Sequence, residues 1–401
     1  MRISTNMIYD RNISAIQNQW SSILHASQQV NTGRRVLTPA DDPIAASRAL
    51  EVGQTKAVNS QFSKNIGYAD DALKLLESQL DGAGEILHYV RTRAVQAGNG
   101  DSVLKDEDLR ALAVDMKAQF EAMVAIANSQ DGMGEYIFSG YSAQLKPFNG
   151  NLSGISYAGD QGERSIQVSA SRYLPISLPG SDVFDRTLTL NTDTVKAYPG
   201  IDNKGSGTLN VTAVDAPAVQ QASRYQFRYD AASGNYNVSR LGQDGIEVPP
   251  ATTLPPGANT LDGLSFELPA PPDIEQDDGF ELWVPSTNML NNMAMFAAAL
   301  DSQNGVSTMT GAVAFALETL DAGQENILKV RAQIGSQLTE TEALKNLGSD
   351  LDIQYATTLS QLQDVSYPEA ISQLTQQRTY LQAAQQSFMM VTGLSLFNFL
   401  G

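Results

Sequence analysis

The stretch "RRVLTPADDPIAASRAL", residues 34–50, interrupts a polar helical pattern and restarts it within ten residues. Asn31-Thr32-Gly33 ends the first pattern, because glycine takes the left-handed conformation that closes a helix at little steric cost. Asp42 followed by Pro43 opens the next: the carboxylate caps free N–H groups, and proline fits a first helical turn. Pro39 and Pro43 also disfavour helix at the residues before them, so the intervening segment is extended or turned. The chain therefore turns a defined corner here.

Upstream of the corner, Tyr9, Ile13, Ile16, Trp20, Ile23 and Val30 recur at alternating steps of four and three, a coiled-coil spacing interrupted at Ser27. Downstream, Ala69, Leu73, Leu76, Leu80, Ala83, Leu87, Val90 and Ala94 repeat the steps. "GNGDS" at 98–102 predicts a turn, and Leu109, Leu112, Met116, Phe120, Met123 and Ala127 resume. From about 145 to 285 the texture changes to Gly, Pro, Thr and short alternating runs. "YQFRYDAASGNYNVSRL" (225–241) predicts a hairpin; "DGLSFEL" (262–268) and "DGFELWV" (278–284) predict strands entered from turns; "VPPATTLPPG" (248–257) and "LPAPPD" (268–273) predict loops. Helix returns after Pro285 with Ser286 or Thr287 as the expected cap. One seam runs through Leu317, Leu320, Ile327, Val330, Ile334, Leu338, Leu344, Leu347 and Leu351, and a last helix after Pro368 carries Ile371, Leu374, Leu381, Ala384, Phe388 and Val391.

The plan predicts an α+β fold: a discontinuous long-helix bundle or coiled coil from both termini, with an inserted β-rich outer domain. Residues 1–42 and 360–401 form the terminal coiled-coil segments, 43–144 and 286–359 a helical core, and 145–285 the β-rich surface domain. Each apolar stripe read singly is an ordinary bundle core. The pair of ends asks for more, because the first helix is thinly apolar and the last ends in Leu394, Leu396, Phe397, Phe399 and Leu400. Apolar seams at both termini would fray in a lone chain and call for a partner.

Composition excludes several classes. The 401 residues carry 26 Lys and Arg against 44 Asp and Glu, a formal net charge of −18, which opposes nucleic acid and anionic membranes as partners. There is no cysteine, hence no disulfide, thiolate metal site or thiol nucleophile. The cysteine-free chain fits export in an unfolded state, and equally a proteome poor in cysteine. The N-terminus "MRISTNMIYDRNISAIQ" has no continuous apolar core of a secretory signal, and the longest strongly apolar run, "MAMFAAAL" (293–300), is too short to span a bilayer. His25 and His88 stand apart within helical stretches and read as solvated or bundle-facing positions; no metal, nucleotide or hydrolase motif appears. The pairs Asp41-Asp42, Asp70-Asp71 and Asp277-Asp278 read as caps or solvated surface. The expectation is a non-enzyme with no catalytic residue, metal or cofactor.

"VNTGRRVLTPADDPIAASRAL" (30–50) closely resembles the N-terminal signature of the flagellin superfamily, with Asn31, Thr32, Gly33, Arg35, Asp41, Asp42 and Ala45 matching. Residues 330–388, including the "LQDVSYPEA" turn (362–370), resemble its C-terminal half; the central insert carries none of it. Two branches compete, flagellin itself and the hook–filament junction proteins. Pro39 and Pro43 bracketing the Asp pair, "ANSQDGMGEYIFSGY" (127–141) followed by Pro147-Phe148, and an end "SLFNFLG" without a terminal Arg favour the junction branch. A secreted adhesive module using the central β domain is a reading of a different class.

The resemblance implies a structural flagellar protein that self-assembles through its terminal helices into a ring of identical subunits. Its neighbours would be a hook-associated protein on the hook side and flagellin on the filament side. It implies extracellular placement by type III export without a cleaved signal, and an export chaperone on the C-terminal helix. The assembly interface expected from the seams is Tyr9, Ile13, Ile16, Trp20, Ile23, Leu374, Leu381, Phe388, Val391, Leu396, Phe397 and Leu400; the inter-domain turn is Gly33, Pro39, Asp41, Asp42 and Pro43. Burying one Leu or Phe is worth roughly 1.5–3 kcal/mol, so several per terminus offset the cost of ordering two helices.

Overall fold

The computed structural model describes residues 5–98, 106–200, 203–219, 223–301 and 309–400. Three helices open the chain: α1 (Thr5–Thr32), α2 (Pro43–Gly98) and α3 (Asp106–Ala127). A β-rich stretch follows, and α4 (Met289–Asp301), α5 (Met309–Gln363) and α6 (Tyr367–Leu400) close it. Two compact units result: residues 1–64 with 344–401, and residues 65–343, the division falling within α2 and α5. The turn expected at 98–102 falls mostly on 99–105, outside the described residues.

In the first unit α1 pairs with α6. Tyr9 meets Phe388 with ring centroids 5.3 Å apart, and Gln19 Nε2 donates to the Gln377 carbonyl at 3.1 Å. A ten-residue advance along α1 is thus an eleven-residue retreat along α6, which makes the pair antiparallel. The adjoining parts of α2 and α5 are antiparallel too: Asn59 Nδ2 donates to the Gly348 carbonyl at 2.8 Å, and Lys56 pairs with Asp352 at 3.7 Å. Here the seam differs from expectation. Leu347 is exposed and Gly348 is buried in its place, where a Cβ would stand 3.2 Å from Ser63 Oγ. The α2 side chains Ser63 and Asn59 close over this position, and glycine leaves them the room.

In the second unit the α2 seam is buried throughout, from Ala69 to Ala94, and packs with Met116, Phe120 and Met123 of α3 and Leu320, Ile327, Val330 and Ile334 of α5. Short α4 is buried on every side from Met289 to Leu300, as an all-round apolar helix must be. Its cap is neither Ser286 nor Thr287: Asn288 Oδ1 accepts the Leu290 N–H at 2.9 Å, while Ser286 Oγ accepts that of Asn288. Among the described residues no helix is long and apolar enough to cross a membrane.

The β part of this unit opens with two small hairpins, β1 (Phe148–Asn151) with β2 (Gly154–Tyr157) and β3 (Ser165–Gln167) with β4 (Tyr173–Pro175). The remaining strands are β5 (Lys196–Pro199), β6 (Asn210–Val214), β7 (Ser223–Asp230), β8 (Asn235–Leu241), β9 (Glu247–Leu254), β10 (Gly257–Leu261), β11 (Leu264–Leu268) and β12 (Gly279–Val284). They form a five-stranded antiparallel sheet, β5-β12-β7-β8-β9, and a three-stranded one, β10-β11-β6. The expected hairpin is β7–β8, closing at Asp230 opposite Asn235. Strand β11 is entered through Asp262 and Gly263, both at positive φ, the geometry of a two-residue hairpin turn. "VPPATTLPPG" is not a simple loop. Its first seven residues belong to β9, which lies at the sheet edge, where Pro249 and Pro250 need not donate to a further neighbour.

Phe227 of the larger sheet meets Phe266 of the smaller one edge to face at 5.3 Å, inside a cluster that includes Tyr236, Phe280, Leu282 and Val284. The opposite face of β12 turns Trp283 toward Phe315, Met295 and Ala299. Buried Glu281 sits beside it, accepting from Gln226 Nε2 at 2.8 Å and Trp283 Nε1 at 3.2 Å, with Arg224 Nη1 at 3.9 Å and the Arg224 guanidinium over the indole. Burial presses the Arg224 pKa below its ordinary value and the Glu281 charge opposes that, so neither partner is tolerable alone. Phe227→Ala leaves a cavity at the centre of the aromatic cluster. We expect a loss of about 3–5 kcal/mol, read as a lowered urea midpoint of Trp283 emission in a Trp20→Phe background.

Candidate functional site

Two turns, one after α1 and one before α6, are hydrogen-bonded to each other. Gly33, at φ +70°, ends α1, and its carbonyl accepts the Val365 N–H at 2.9 Å. Arg35 N–H donates to the Gln363 carbonyl at 2.7 Å, and Arg34 and Asp364 form an antiparallel bridge. The Arg35 side chain extends the clasp: Nη2 donates to the Leu362 carbonyl at 3.0 Å and Nη1 to Asp42 Oδ2 at 3.1 Å. A guanidinium on the last carbonyls of α5 is favoured by the partial negative charge there.

The two aspartates do different work. Asp42 caps α2, its Oδ1 accepting the Ala45 N–H at 2.9 Å, with Pro43 as the first helical residue. Asp41 folds the turn onto itself. Its Oδ2 accepts the N–H groups of Leu37 and Thr38 at 2.9 and 2.8 Å, and its Oδ1 lies 2.9 Å from His25 Nε2. His25, expected as an ordinary helix position, thus ties α1 to the turn. Gln29 Nε2 adds a bond to the Arg35 carbonyl at 2.6 Å. Pro39 follows Thr38, whose carbonyl accepts the Asp41 N–H at 3.0 Å.

Both carboxyls lie below the ordinary carboxylate range. The Thr38 N–H is the largest cause for Asp41, with Leu37 and His25 adding to it; the Ala45 N–H is the largest for Asp42, with Arg35 next. A depressed folded pKa stabilises above the unfolded value and is lost as pH falls through the folded one.

The seam residues divide. Ile23 and Leu381 are buried, each 7% exposed, and Ile13, Ile16, Leu374 and Phe388 are half-buried. Tyr9 and Trp20 remain 47% and 49% exposed. Part of the expected assembly seam is therefore used within the chain, between α1 and α6. Ile371 is off this seam and exposed; the neighbouring Ala370 is buried instead. The side chains of Val391, Leu396, Phe397 and Leu400 lie outside the described residues. Leu24 and Tyr380, more than half exposed, were missed by the seam reading because they lie on the flanks of the 3.5-residue stripe. The roles of Arg35 and His25 were missed because their partners are distant in sequence or across a turn.

Helical pairs from both ends of one chain, joined by clasped turns, are the arrangement expected of the flagellin-like class that the sequence resembles. In keeping with that class, residues 3–143 match the model for the bacterial flagellin N-terminal helical region. Flagellar hook-associated protein 3 of Salmonella typhimurium is 30% identical over 399 residues, covering 99% of each chain, and that of Escherichia coli K12 is 30% identical over 398, also 99% of each. A crystal structure of Xanthomonas campestris FlgL aligns over 77% of this chain and 99% of its own, with TM-score 0.52 and 25% identity. The chain belongs to the flagellar hook-associated protein 3 family. It is thus a structural protein of the bacterial flagellum, on the junction branch rather than among the filament subunits.

Two outcomes test the clasp. Gly33→Ala forces a Cβ into the left-handed region and to 3.0 Å from Tyr367 Oη; a loss of about 1–2 kcal/mol is expected, seen as faster hydrogen exchange at the Val365 amide. On acidification below about pH 3.8, the ordinary value for both carboxyls, the Thr38 and Ala45 amides lose protection together while the α2 seam amides hold.

Proposed function

We propose that this chain is the subunit of a ring that joins the flagellar hook to its filament, contacting a hook-associated protein on one side and flagellin on the other. Three parts divide the labour: residues 1–42 and 360–401 pack in the inner tube, 43–144 and 286–359 form an outer helical body, and 145–285 decorate it. The observation that carries the reading is the half-satisfied terminal pair. In the antiparallel pair α1 and α6, Ile23 and Leu381 are buried, yet Trp20, Leu24 and Tyr380 are left about half exposed. Large apolar side chains left in water on a defined helical pair gain most by association.

The route that goes with this role is type III export without a cleaved signal, to an extracellular position. A chaperone would hold the apolar end of α6 until assembly. The turn "TPADDP" then sets the angle at which the terminal pair leaves the helical body.

Deleting the gene in its source bacterium is expected to leave bare hooks by electron microscopy, with flagellin accumulating in the medium. Normal filaments would overturn the proposal. Complementation with Trp20→Asp is expected to leave swimming at the deletion level, while the purified variant keeps its far-ultraviolet helical signal.

A further inference from the structure

Within residues 65–343 a cleft of about 510 Å³ opens where the β1–β2 turn, the link from β12 into α4 and the loop between β8 and β9 converge. Its volume is that of an ordinary small-molecule site, roughly 300–1,000 Å³. Its lining is more polar than such sites usually are. Ser153, Ser156, Gln243, Ser286, Thr287 and Asn291 supply hydroxyls and amides, and Leu190 and Val219 supply apolar contact. Among the described residues no charged or aromatic side chain lines it.

The frame around the cleft is fixed by hydrogen bonds. Asn291 Oδ1 accepts the Ile155 N–H at 2.8 Å and its Nδ2 donates to the Ile155 carbonyl at 3.1 Å, which ties β2 to α4. The Ser286 N–H donates to Asn292 Oδ1 at 2.7 Å, and Ser286 Oγ accepts the Asn288 N–H at 3.0 Å. Gly242 N–H to the Ile246 carbonyl at 2.9 Å, and Gly245 N–H to the Gly242 carbonyl at 3.0 Å, close the loop that carries Gln243. A site built in advance spends little of its binding energy on ordering.

Gln243 is the unsatisfied member of this frame. It is 7% exposed, and its Oε1 is buried with no hydrogen-bond partner among the described residues. It sits against Gly154, where a Cβ would stand 3.2 Å from that oxygen, at a φ of +150° that suits glycine. A buried carbonyl without a donor is costly, and rotation about the Cγ–Cδ bond turns either end of the amide to a ligand in the cleft.

The lining selects the ligand. Residues 65–343 carry 17 Lys and Arg against 36 Asp and Glu, a net of −19, and place no cation at the cleft, which disfavours an anion. A cation would lack a carboxylate among the lining residues, and an apolar ligand would leave the hydroxyls and Gln243 without partners. A neutral molecule whose groups both donate and accept, with C–H surface for Leu190 and Val219, meets every one of these conditions. We infer that the cleft binds a neutral sugar, with the Gln243 amide as its central hydrogen-bonding group. With no aromatic ring to stack on, the affinity is weak.

Saturation-transfer difference NMR on the full chain tests this, with glucose, cellobiose and glucose 6-phosphate as probes. Transfer to the two neutral sugars is expected, and much less to the phosphate ester. Cellobiose bound more tightly than glucose marks a unit of a polysaccharide; equal binding marks a free sugar. Gln243→Leu removes the amide, so the apparent Kd is expected to rise about tenfold, with a thermal midpoint no lower than wild type. Ser153→Trp, at an exposed position of the β1–β2 turn, is expected to obstruct the cleft and abolish transfer with an unchanged far-ultraviolet spectrum. No transfer to either neutral sugar, transfer to glucose 6-phosphate as strong as to glucose, or transfer that both variants leave unchanged overturns the inference. Transfer to N-acetylglycinamide with both sugars silent would assign the cleft to a peptide segment and overturn it equally.

Discussion

Everything in the terminal unit depends on two backbone hydrogen bonds, Val365 N–H to Gly33 and Arg35 N–H to Gln363, made between turns on opposite sides of the β-rich insert. Residues separated by 327 positions meet there, as the Arg35 to Leu362 bond records. Closing so long a loop costs little more than closing one half its length, since the entropy grows only logarithmically. A short, fully satisfied clasp can therefore hold both ends of the chain together. Each group in it answers a need left by a helix terminus: Asp42 takes free N–H groups of α2, and Arg35 takes free carbonyls of α5.

The same economy of partners runs through the second unit. Several of its buried polar residues have fixed partners, as with Glu281 between Gln226 and Trp283, or Asn291 holding both backbone groups of Ile155. Asp278 takes the N–H groups of Lys204, Gly205 and Glu275, and those donors hold its pKa below the ordinary range against the pull of burial. These latches let loops of low apolar content keep one conformation. The insert is accordingly a structured body with an aromatic core of its own, rather than a decoration of loops.

Charge and apolar exposure then distribute the roles. The unit containing both chain ends is nearly neutral and rich in exposed large side chains, while the other holds the whole acidic excess. A self-assembling subunit needs both properties: a face on which copies gain by losing water, and a charge that keeps them apart in solution.

The corner at Gly33–Pro43, the helical seams, the β7–β8 hairpin and the family were all legible in the residues, because each rests on local signals: caps, prolines, 3.5-residue spacing and alternation. Only the tertiary structure decided which seam positions are occupied within the chain. It replaced Leu347 by Gly348 at the α2–α5 contact, because the polar side chains of Asn59 and Ser63, not an apolar partner, face the buried position there. It turned the proline-rich 247–254 into an edge strand, because an edge asks for fewer N–H donors than a central position. And it gave Arg35, His25 and Asp41 their partners, since hydrogen bonds across a turn or across three hundred residues leave no periodic trace in a sequence.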